Sequence, residues 1–323
     1  MKSPDSVPSW SLRSIYERTS IHRAVTDEVK EPELRSAYVH CRNTTRTYAK
    51  TFYLATRFLP HQKQRSIFAI YGLCRFLDNL VDEAEDLVAG NPVKLQEVEH
   101  RLSEWKELLR RTYDGELSDN PILIAFSDVL RRYHIDISLP FALIDGVCMD
   151  LAKNRYETFD ELYEYSYKVA SVVGLMISEV FGYKDKSALD HAVDLGIAMQ
   201  LTNILRDIGE DLLRDRIYLP AEDLRHFGVS EADLFNHHLS DPFIRMMQFQ
   251  IDRTRRYYES ADKGIPMLSS DSQIPVRLAR VNYARILDKI EKNNYQVFTR
   301  RAHLSLTQKI LNLPGIWWHA ARS

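Results

Sequence analysis

The chain has 323 residues, of which 43 are basic and 45 acidic, so its formal net charge is −2 at pH 7. This near-neutral balance argues against a nucleic-acid binder that relies on bulk positive charge. Glycine (11 residues) and proline (12 residues) are scarce and 45% of the residues are hydrophobic, which excludes collagen-like, low-complexity and disordered chains. A helical globular protein is therefore expected.

The cysteines and the N-terminal residues indicate the compartment. Cys41, Cys74 and Cys148 are too few for a disulfide framework and show no CxxC spacing, so we expect a reducing, cytoplasmic setting. No apolar run reaches the length of about eighteen residues that predicts a transmembrane helix. Asp5 and Glu17 interrupt the N-terminus, so a secretory signal is not expected, while a transit peptide stays open.

The chain divides into an extension, one main domain and a tail. Residues 1–35 form the extension, with one short helix near residues 10–19. Residues 36–312 form a single all-α domain, and residues 313–323 form the tail. No low-complexity tract and no solenoid-like repeat is present.

Long amphipathic segments separated by short breaks predict the helices of the domain. Apolar residues recur at spacings of three and four, as from Leu195 through Met199 to Leu212, and strand-like alternation is hard to find. In chain order the predicted helices cover residues 36–59, 61–86, 93–113, 121–134, 140–152, 159–183, 186–213, 241–263 and 275–312. Prolines fall at or near the breaks, where a helix start tolerates them: Pro60, Pro92, Pro121, Pro140, Pro220 and Pro275.

The segment IFAIYGLCRFLDNLVDEAED carries two aspartates four residues apart. On a helix, Asp78 and Asp82 lie on one face, and Tyr71 and Arg75 continue that stripe toward the N-terminus. Apolar residues flank the stripe on both sides, which favours carboxylates that point into a cavity, where they would need cations. The alternative is a solvated face on which Arg75 pairs with Asp78, and this segment alone leaves both open.

The segment IAMQLTNILRDIGEDLLRDRIYLP repeats the pattern. Gln200, Asn203, Asp207 and Asp211 form a second polar stripe on an apolar helix, and Arg206 adjoins Asp207. Two D-x-x-x-D helices facing each other would supply oxygen ligands, which Mg²⁺ favours when it bridges carboxylates to substrate phosphates. A ferritin-like di-metal site would instead need Glu-x-x-His pairs, which these two segments lack.

The arginines beside both motifs indicate the substrate class. A guanidinium is always charged and binds phosphate oxygens in a bidentate manner, so Arg75 and Arg206 suit a phosphate. Together the two segments predict a phosphorylated or diphosphorylated small molecule in a largely apolar helical cavity.

Three segments, AKTFYLATRFLP, AIYGLCRFLDNLVDEAED and QLTNILRDIGEDLLRDRIYLP, together resemble the phytoene synthase branch of the squalene/phytoene synthase family, over about residues 40 to 305. The resemblance implies an all-α isoprenoid synthase (terpenoid synthase) fold around a central catalytic cavity. It implies a transferase that joins two geranylgeranyl diphosphates head to head, through prephytoene diphosphate, to phytoene for carotenoid biosynthesis. Two to three Mg²⁺ ions, or Mn²⁺, would bind with the substrate diphosphate. NADPH is not expected, in line with the absence of a GxGxxG pattern.

Matched position by position, the resemblance also assigns site residues. The metal-binding aspartates of the two motifs are Asp78, Asp82, Asp207 and Asp211. The residues that flank them in the diphosphate site are Arg75, Gln200, Asn203 and Arg206. Tyr71 and Thr51 line the site entrance, and Tyr71 is also a catalytic candidate.

The resemblance assigns three further residues outside the two motifs. Tyr167, in EYSYKVASVVG, resembles a tyrosine that caps a phosphate. Tyr283 and Arg300 match a late helix whose tyrosine and arginine reach the diphosphate. Ala49 departs from the pattern, because some relatives carry a serine there. A core or surface role is equally open for Tyr167, Tyr283 and Arg300 taken singly, because a tyrosine in an apolar helix usually packs.

Alternatives remain within and outside this reaction. A thirty-carbon enzyme of the same family would make presqualene diphosphate, dehydrosqualene or squalene from farnesyl diphosphate. Phe52 and Thr56 lie one helical turn apart in the chain-length pocket, and the small Thr56 favours the longer substrate. A non-catalytic assembly or binding protein would be expected to lack a motif aspartate, and a terpene cyclase would carry an NSE-type second motif; neither feature is present.

The sequence also gives expectations for partners. Prenyl diphosphates are the expected substrates, and a monomer or weak homo-oligomer is expected. Trp317 and Trp318 in the tail would either contact a membrane interface or cap the core, and the sequence leaves both open.

Overall fold

The computed structural model describes residues 25–88, 92–305 and 308, apart from the side chains at positions 51, 82–88, 92 and 94. Within these residues the secondary structure is helical, and the only β pairing is two isolated bridges. None of the described helices is long and apolar enough to cross a membrane. The predicted helix near residues 10–19 lies outside the described residues.

The helices follow the predicted order. They are α1 (Pro32–Tyr48), α2 (Lys50–Thr56), α3 (His61–Val88), α4 (Pro92–Tyr113), α5 (Pro121–Leu130), α6 (Ser138–Ala152), α7 (Phe159–Ser166), α8 (Val172–Phe181), α9 (Ala188–Leu212), α10 (Ala221–Phe227), α11 (Glu231–Phe235), α12 (Asp241–Gly264) and α13 (Ser270–Lys292). A π-helical turn, Tyr167–Ser171, joins α7 to α8, and a 3₁₀ turn, Ile265–Met267, follows α12.

Three predicted boundaries are wrong. The helix predicted over 36–59 is two helices, because the backbone of Ala49 leaves the helical region between them. The helix predicted over 275–312 begins earlier, at Ser270, and ends at Lys292. It ends there because Asn294 and Tyr295 adopt positive φ angles of 53° and 58°, a left-handed conformation that stops a helix. The short helices α10 and α11 were not predicted.

Of the four apolar clusters in the described residues, two form most of the core. The larger one holds α1, α3, α5 and α8 together, and the second one packs α9 against α12 and α13. Helix α9 also contacts the π turn closely: a Cβ on Gly196 would lie 2.5 Å from the Cα of Ser171. Because only glycine permits this approach, the π turn and the helices on either side of it can lie directly against α9.

Candidate functional site

A cavity of about 480 Å³ lies between α9 and the helices around it. Its walls are mainly apolar and come from both halves of the chain: α2, α3, α6, the π turn, α8, α9, α12 and α13. Of the residues predicted for the site, those that line it are Phe52, Thr56, Tyr71, Arg75, Asp78, Gln200, Asn203 and Tyr283. The cavity therefore brings the two motif helices to one space.

The first motif presents its charged groups at one end of this cavity. On α3, Arg75 donates to the Asp78 carboxylate at 2.5 Å, and its guanidinium also lies 4.6 Å from the centre of the Tyr48 ring. The Asp78 side chain is 48% exposed, so the ion pair that the sequence left open does form, but at the mouth of a cavity. Asp82 lies one turn further on α3, and its side chain is outside the described part of the chain.

Tyr71 lies one turn before Arg75 on the cavity wall. Burial raises the pKa of Tyr71 to about 12, and the nearby Cys74, Tyr283 and Asp78 raise it further against the opposing effect of Arg75. Tyr283 of α13 lines the same cavity as Tyr71 of α3. The phenol stays protonated at neutral pH.

The second motif extends from the cavity wall to its outside. Gln200 and Asn203 line the cavity, whereas Asp207 and Asp211 lie one and two turns further along α9. The Oδ1 atom of Asn203 is buried and has no hydrogen-bond partner among the described residues. An unsatisfied buried oxygen of this kind is available to a ligand.

Asp207 is already paired with arginines. Arg206 donates to both of its oxygens, at 2.7 and 2.5 Å, and both side chains are less than one-fifth exposed. Burial opposes the charge of Arg206, but the hydrogen bond to Asp207 and the nearby negative charges together raise the pKa of the guanidinium. The second motif therefore has a fixed cation beside its first aspartate.

The electrostatic surroundings of Asp211 differ from those of Asp207. Burial raises the pKa of Asp211 to about 7, and the neighbouring charges of Asp207 and Asp150 add to the effect, whereas Arg216 and Arg214 oppose it. A carboxylate with such a pKa is poorly compensated by its surroundings. A cation bound beside Asp211 would lower the free-energy cost of ionising this carboxyl.

The C-terminal segment crosses α9 next to this motif. A Cβ on Gly209 would lie 2.2 Å from the carbonyl oxygen of Phe298, so only glycine allows the two backbones to touch here. The crossing brings Arg301 to Asp207, where it donates to both oxygens at 2.8 and 3.0 Å, and it places Arg301 3.2 Å from Glu210.

The late helix predicted to carry both Tyr283 and Arg300 carries only Tyr283. Tyr283 lines the cavity from α13, and burial raises the pKa of its phenol. Arg300 lies beyond the end of α13 in an irregular segment and is exposed. The assignment of Arg300 to that helix is wrong, and its neighbour Arg301 is the residue that contacts the motif.

Tyr165, rather than the predicted Tyr167, lines the cavity. Tyr167 begins this turn and packs in the core, and it is not among the cavity-lining residues, whereas Tyr165 is. Tyr165 precedes the lining residues Val169 and Val173 by four and eight positions. This spacing is the signal that could have identified it, because residues four apart share a helical face.

The sequence also gave no role to Asp150, which lines the cavity from α6. It continues the lining stripe of Leu143 and Val147 on that helix. Its carboxylate accepts hydrogen bonds from Tyr165 and Tyr218, at 3.0 and 2.9 Å. An acidic residue that extends an apolar stripe is the signal that could have found it.

The predicted chain-length residues lie on α2. Phe52 packs against Tyr71, with ring centres 5.9 Å apart. Thr56 is buried, lines the cavity, and donates its hydroxyl to the carbonyl of Tyr53. Thr51 belongs to the same helix, and its side chain is outside the described residues.

A preformed metal centre is not part of this arrangement. Among the described residues, no group of three His, Cys, Asp or Glu side chains lies close enough together to hold a metal ion. The donor set nevertheless has the chemistry that Mg²⁺ prefers, since it consists of carboxylate and amide oxygens. Of the predicted donors with described side chains, Asp78, Gln200 and Asn203 line the cavity, and Asp207 lies one turn further along α9.

Comparison with known proteins places this site in a family. A family model described as squalene/phytoene synthase matches residues 45–308. The 15-cis-phytoene synthase of Synechococcus elongatus is 45% identical over 294 residues, which are 87% of this chain and 92% of that protein. The 15-cis-phytoene synthase of Synechocystis sp. is 43% identical over 300 residues, 89% of this chain and 86% of that protein.

A solved structure shares the fold. A dehydrosqualene synthase crystallised with a ligand superposes with a TM-score of 0.79 at 28% identity, covering 90% of this chain and 99% of that chain. The all-α isoprenoid synthase fold expected from the sequence is thereby confirmed.

Proposed function

Because the chain belongs to the squalene/phytoene synthase family, we propose that it joins two geranylgeranyl diphosphates head to head, through prephytoene diphosphate, to phytoene. The observation that carries the proposal is an apolar cavity lined by both D-x-x-x-D helices, with Arg75 and Asp78 from α3 and Gln200 and Asn203 from α9. The two cyanobacterial relatives described above, both named for this activity, support the forty-carbon product.

The polar end of the cavity would bind the diphosphate. Arg75 and Arg206 lie beside the two motifs, and each is held in place by an aspartate of its own motif. Guanidinium groups fixed in this way stabilise the charge that grows on a departing diphosphate. Gln200 and Asn203 would donate their amide protons to the same group from the wall of α9.

A divalent ion fits the motif aspartates and the unpartnered Oδ1 of Asn203. Asp78 and Asp82 from α3, with Asp207 and Asp211 from α9, would hold two to three Mg²⁺ or Mn²⁺ ions together with the diphosphate. When bound, the metal neutralises the leaving group. The raised pKa of Asp211 supports this placement, because it marks a carboxylate that lacks a compensating cation.

The apolar remainder of the cavity would protect the allylic carbocation that forms when the diphosphate leaves. Its walls carry Phe52, Leu143, Val147, Val173, Ile177 and Leu195. Such walls keep water from the cation, so the double bond of the second substrate attacks instead and proton loss closes the cyclopropyl diphosphate. A second ionisation, a rearrangement and another proton loss give phytoene.

The product assay tests this proposal. Purified protein is incubated with Mg²⁺ and either geranylgeranyl or farnesyl diphosphate, and the extracted lipid is identified by mass spectrometry. Phytoene from geranylgeranyl diphosphate without a reductant is the expected result. Thirty-carbon material alone would establish the farnesyl-using alternative, and no lipid product from either substrate would favour the non-catalytic alternative.

Thr56→Phe tests the length of the pocket. The larger side chain would fill the space that the buried Thr56 leaves on α2, so the variant is expected to shift preference from geranylgeranyl to farnesyl diphosphate by about 10-fold in kcat/KM. Leu54→Phe on the same helix is the control, because Leu54 is not among the cavity-lining residues. An unchanged substrate ratio in Thr56→Phe would show that the pocket ends elsewhere.

Partners beyond the substrates remain predictions. We propose a cytoplasmic monomer or weak homo-oligomer. Trp317 and Trp318 lie outside the described residues, so membrane contact and core capping both stay open for them.

A further inference from the structure

His191 is an ionisable residue on the cavity wall far from the polar end. Helix α9 lines the cavity from Ala188 to Asn203. At the helical rise of 1.5 Å per residue, the step from His191 to Asn203 spans about 18 Å. The lining residues nearest to His191 on α9, Ala188 and Ala192, are apolar, and so is Ile265 after the end of α12. An imidazole therefore lies at the apolar end of the cavity, where the proposed chemistry has no use for it.

A short series of hydrogen bonds fixes this imidazole. Its Nδ1 atom lies 3.2 Å from the hydroxyl oxygen of Ser260, and that hydroxyl donates to Oδ2 of Asp194 at 2.5 Å. An ionised carboxylate only accepts hydrogen bonds, and a serine hydroxyl has a single proton to donate. Because Ser260 donates this proton to Asp194, the bond to His191 has to be donated by Nδ1. The Nε2 atom has no hydrogen-bond partner among the described residues.

Helix α12 also holds the side chain of His191 by direct contact. A Cβ on Gly264 would lie 2.4 Å from the Cβ of His191 and 3.0 Å from its Cγ, so the backbone at the end of α12 lies directly against this side chain. Ser260 and Gly264 are four residues apart and share one face of α12. The ring is thus bound by the first and packed by the second, which leaves it little freedom to move away from the cavity wall.

Resting on the proposed function, we infer that His191 is a specificity-determining residue that ends the tail pocket and thereby sets the longest prenyl chain that the cavity accepts. A substrate whose diphosphate is bound at the polar end extends its tail along α9 toward this ring. The ring occupies the space that a longer tail would need. A longer tail would also cover Nε2 without offering it a hydrogen bond, and covering a polar atom in this way costs free energy.

Two substitutions of His191 change the length of the pocket in opposite directions. His191→Ala removes the ring, so we expect kcat/KM for a twenty-five-carbon prenyl diphosphate to rise by about 10-fold relative to geranylgeranyl diphosphate. His191→Trp fills the pocket further and should shift preference from geranylgeranyl to farnesyl diphosphate by about 10-fold. His40→Ala is the matched control, because His40 is exposed on α1 and does not line the cavity. This control should keep the substrate ratios of the wild type.

Ser260→Ala separates a specific role from a merely structural one. Ser260 is not among the cavity-lining residues, so its loss frees the ring of His191 without enlarging the pocket directly. We expect a shift toward the twenty-five-carbon substrate of about threefold, smaller than in His191→Ala. A structural role alone would lower kcat for every prenyl diphosphate alike and leave their ratios unchanged.

The ratios of kcat/KM, measured with Mg²⁺ on variants whose helical circular dichroism is retained, decide the outcome. Wild-type ratios in His191→Ala would overturn the inference while leaving phytoene formation by the wild type intact. If His191→Ala does not fold, wild-type ratios in both Ser260→Ala and His191→Trp would overturn it instead. A wild-type protein that forms no phytoene would overturn the proposed function itself, and this inference with it.

Discussion

The two aspartate motifs have the same spacing but different surroundings. The first motif offers Asp78 at the cavity mouth, about half exposed and paired with Arg75. The second holds Asp207 between Arg206 and Arg301 at one-sixth exposure, with the partly buried Asp211 one turn further along the helix. The same D-x-x-x-D spacing therefore gives a half-exposed Asp78 on one helix and a largely enclosed Asp207 on the other.

This difference indicates how the two sides of the site contribute. In the enclosed motif, Asp207 is compensated by two arginines before any ligand arrives, whereas Asp211 is not. Solvent screens the charge of the half-exposed Asp78, so leaving the first motif without a bound cation costs little free energy. We expect the second motif to dominate the stability of the free protein, whereas both motifs are needed for turnover.

The largest stability effect should come from Asp211. Its pKa of about 7 in the folded protein exceeds the ordinary value of 3.8, so between roughly pH 4 and pH 7 the folded state binds a proton that the unfolded state has lost. Stability contributed by this group is complete at low pH and is lost as the pH rises through 7. Asp211→Asn should therefore stabilise the metal-free protein at pH 8 by about 1–3 kcal/mol, and by less at pH 5.

Urea unfolding at the two pH values measures this prediction. Asp78→Asn is the matched control from the exposed motif and should show no comparable gain at pH 8. If the free energy of unfolding of Asp211→Asn changes with pH as that of the wild type does, the Asp211 carboxyl is ionised in the folded protein at little free-energy cost.

Replacing the arginine of each motif should lower the free energy of unfolding, and by less at the first motif than at the second. Arg206→Gln leaves Asp207 enclosed with less compensation, and we expect a loss of about 1–3 kcal/mol. Arg75→Gln removes a partner from the half-exposed Asp78, and the expected loss is below about 1 kcal/mol. Denaturant midpoints for the two variants at 0.15 M salt measure the contrast, and equal losses would contradict it.

The smallest effect concerns the segment that crosses α9. Arg301→Gln removes two hydrogen bonds to Asp207 from a side chain that is 48% exposed, so it should cost about 0.5 kcal/mol. Arg300→Gln, at an exposed neighbouring position, should leave the melting temperature unchanged. If differential scanning calorimetry shows instead that Arg300→Gln lowers the melting temperature more than Arg301→Gln does, then Arg300 is the residue that interacts with the site, as the sequence suggested.

Helical periodicity explains which parts of this site the sequence could predict. Asp78 and Asp207 follow simple spacing on long helices, and the structure places both on the helices expected for them. Tyr165 could have been found in the same way, from its spacing of four and eight residues to Val169 and Val173, whereas the π turn that begins at Tyr167 and lies against α9 at Gly196 could not. A change of helix type is a tertiary effect that local spacing does not encode.

The C-terminal part of the site shows a second limit. The apolar pattern after Lys292 continues well enough to predict a helix, but Asn294 and Tyr295 adopt left-handed conformations and end it. The following residues then reach Gly209, whose role depends on a backbone contact far away in sequence. The contact of Arg301 with Asp207 follows from this crossing, so it could not be predicted from the motif.

Turnover of geranylgeranyl diphosphate by Asp78→Asn and Asp207→Asn tests most directly whether two unlike motifs serve one reaction. Phytoene formation with Mg²⁺ is measured beside circular dichroism of each variant, so that loss of activity is separated from loss of fold. We predict that both substitutions reduce turnover by about 10³-fold or more while the helical spectrum is retained. Wild-type turnover in either variant would contradict the assignment of both motifs to a single diphosphate site.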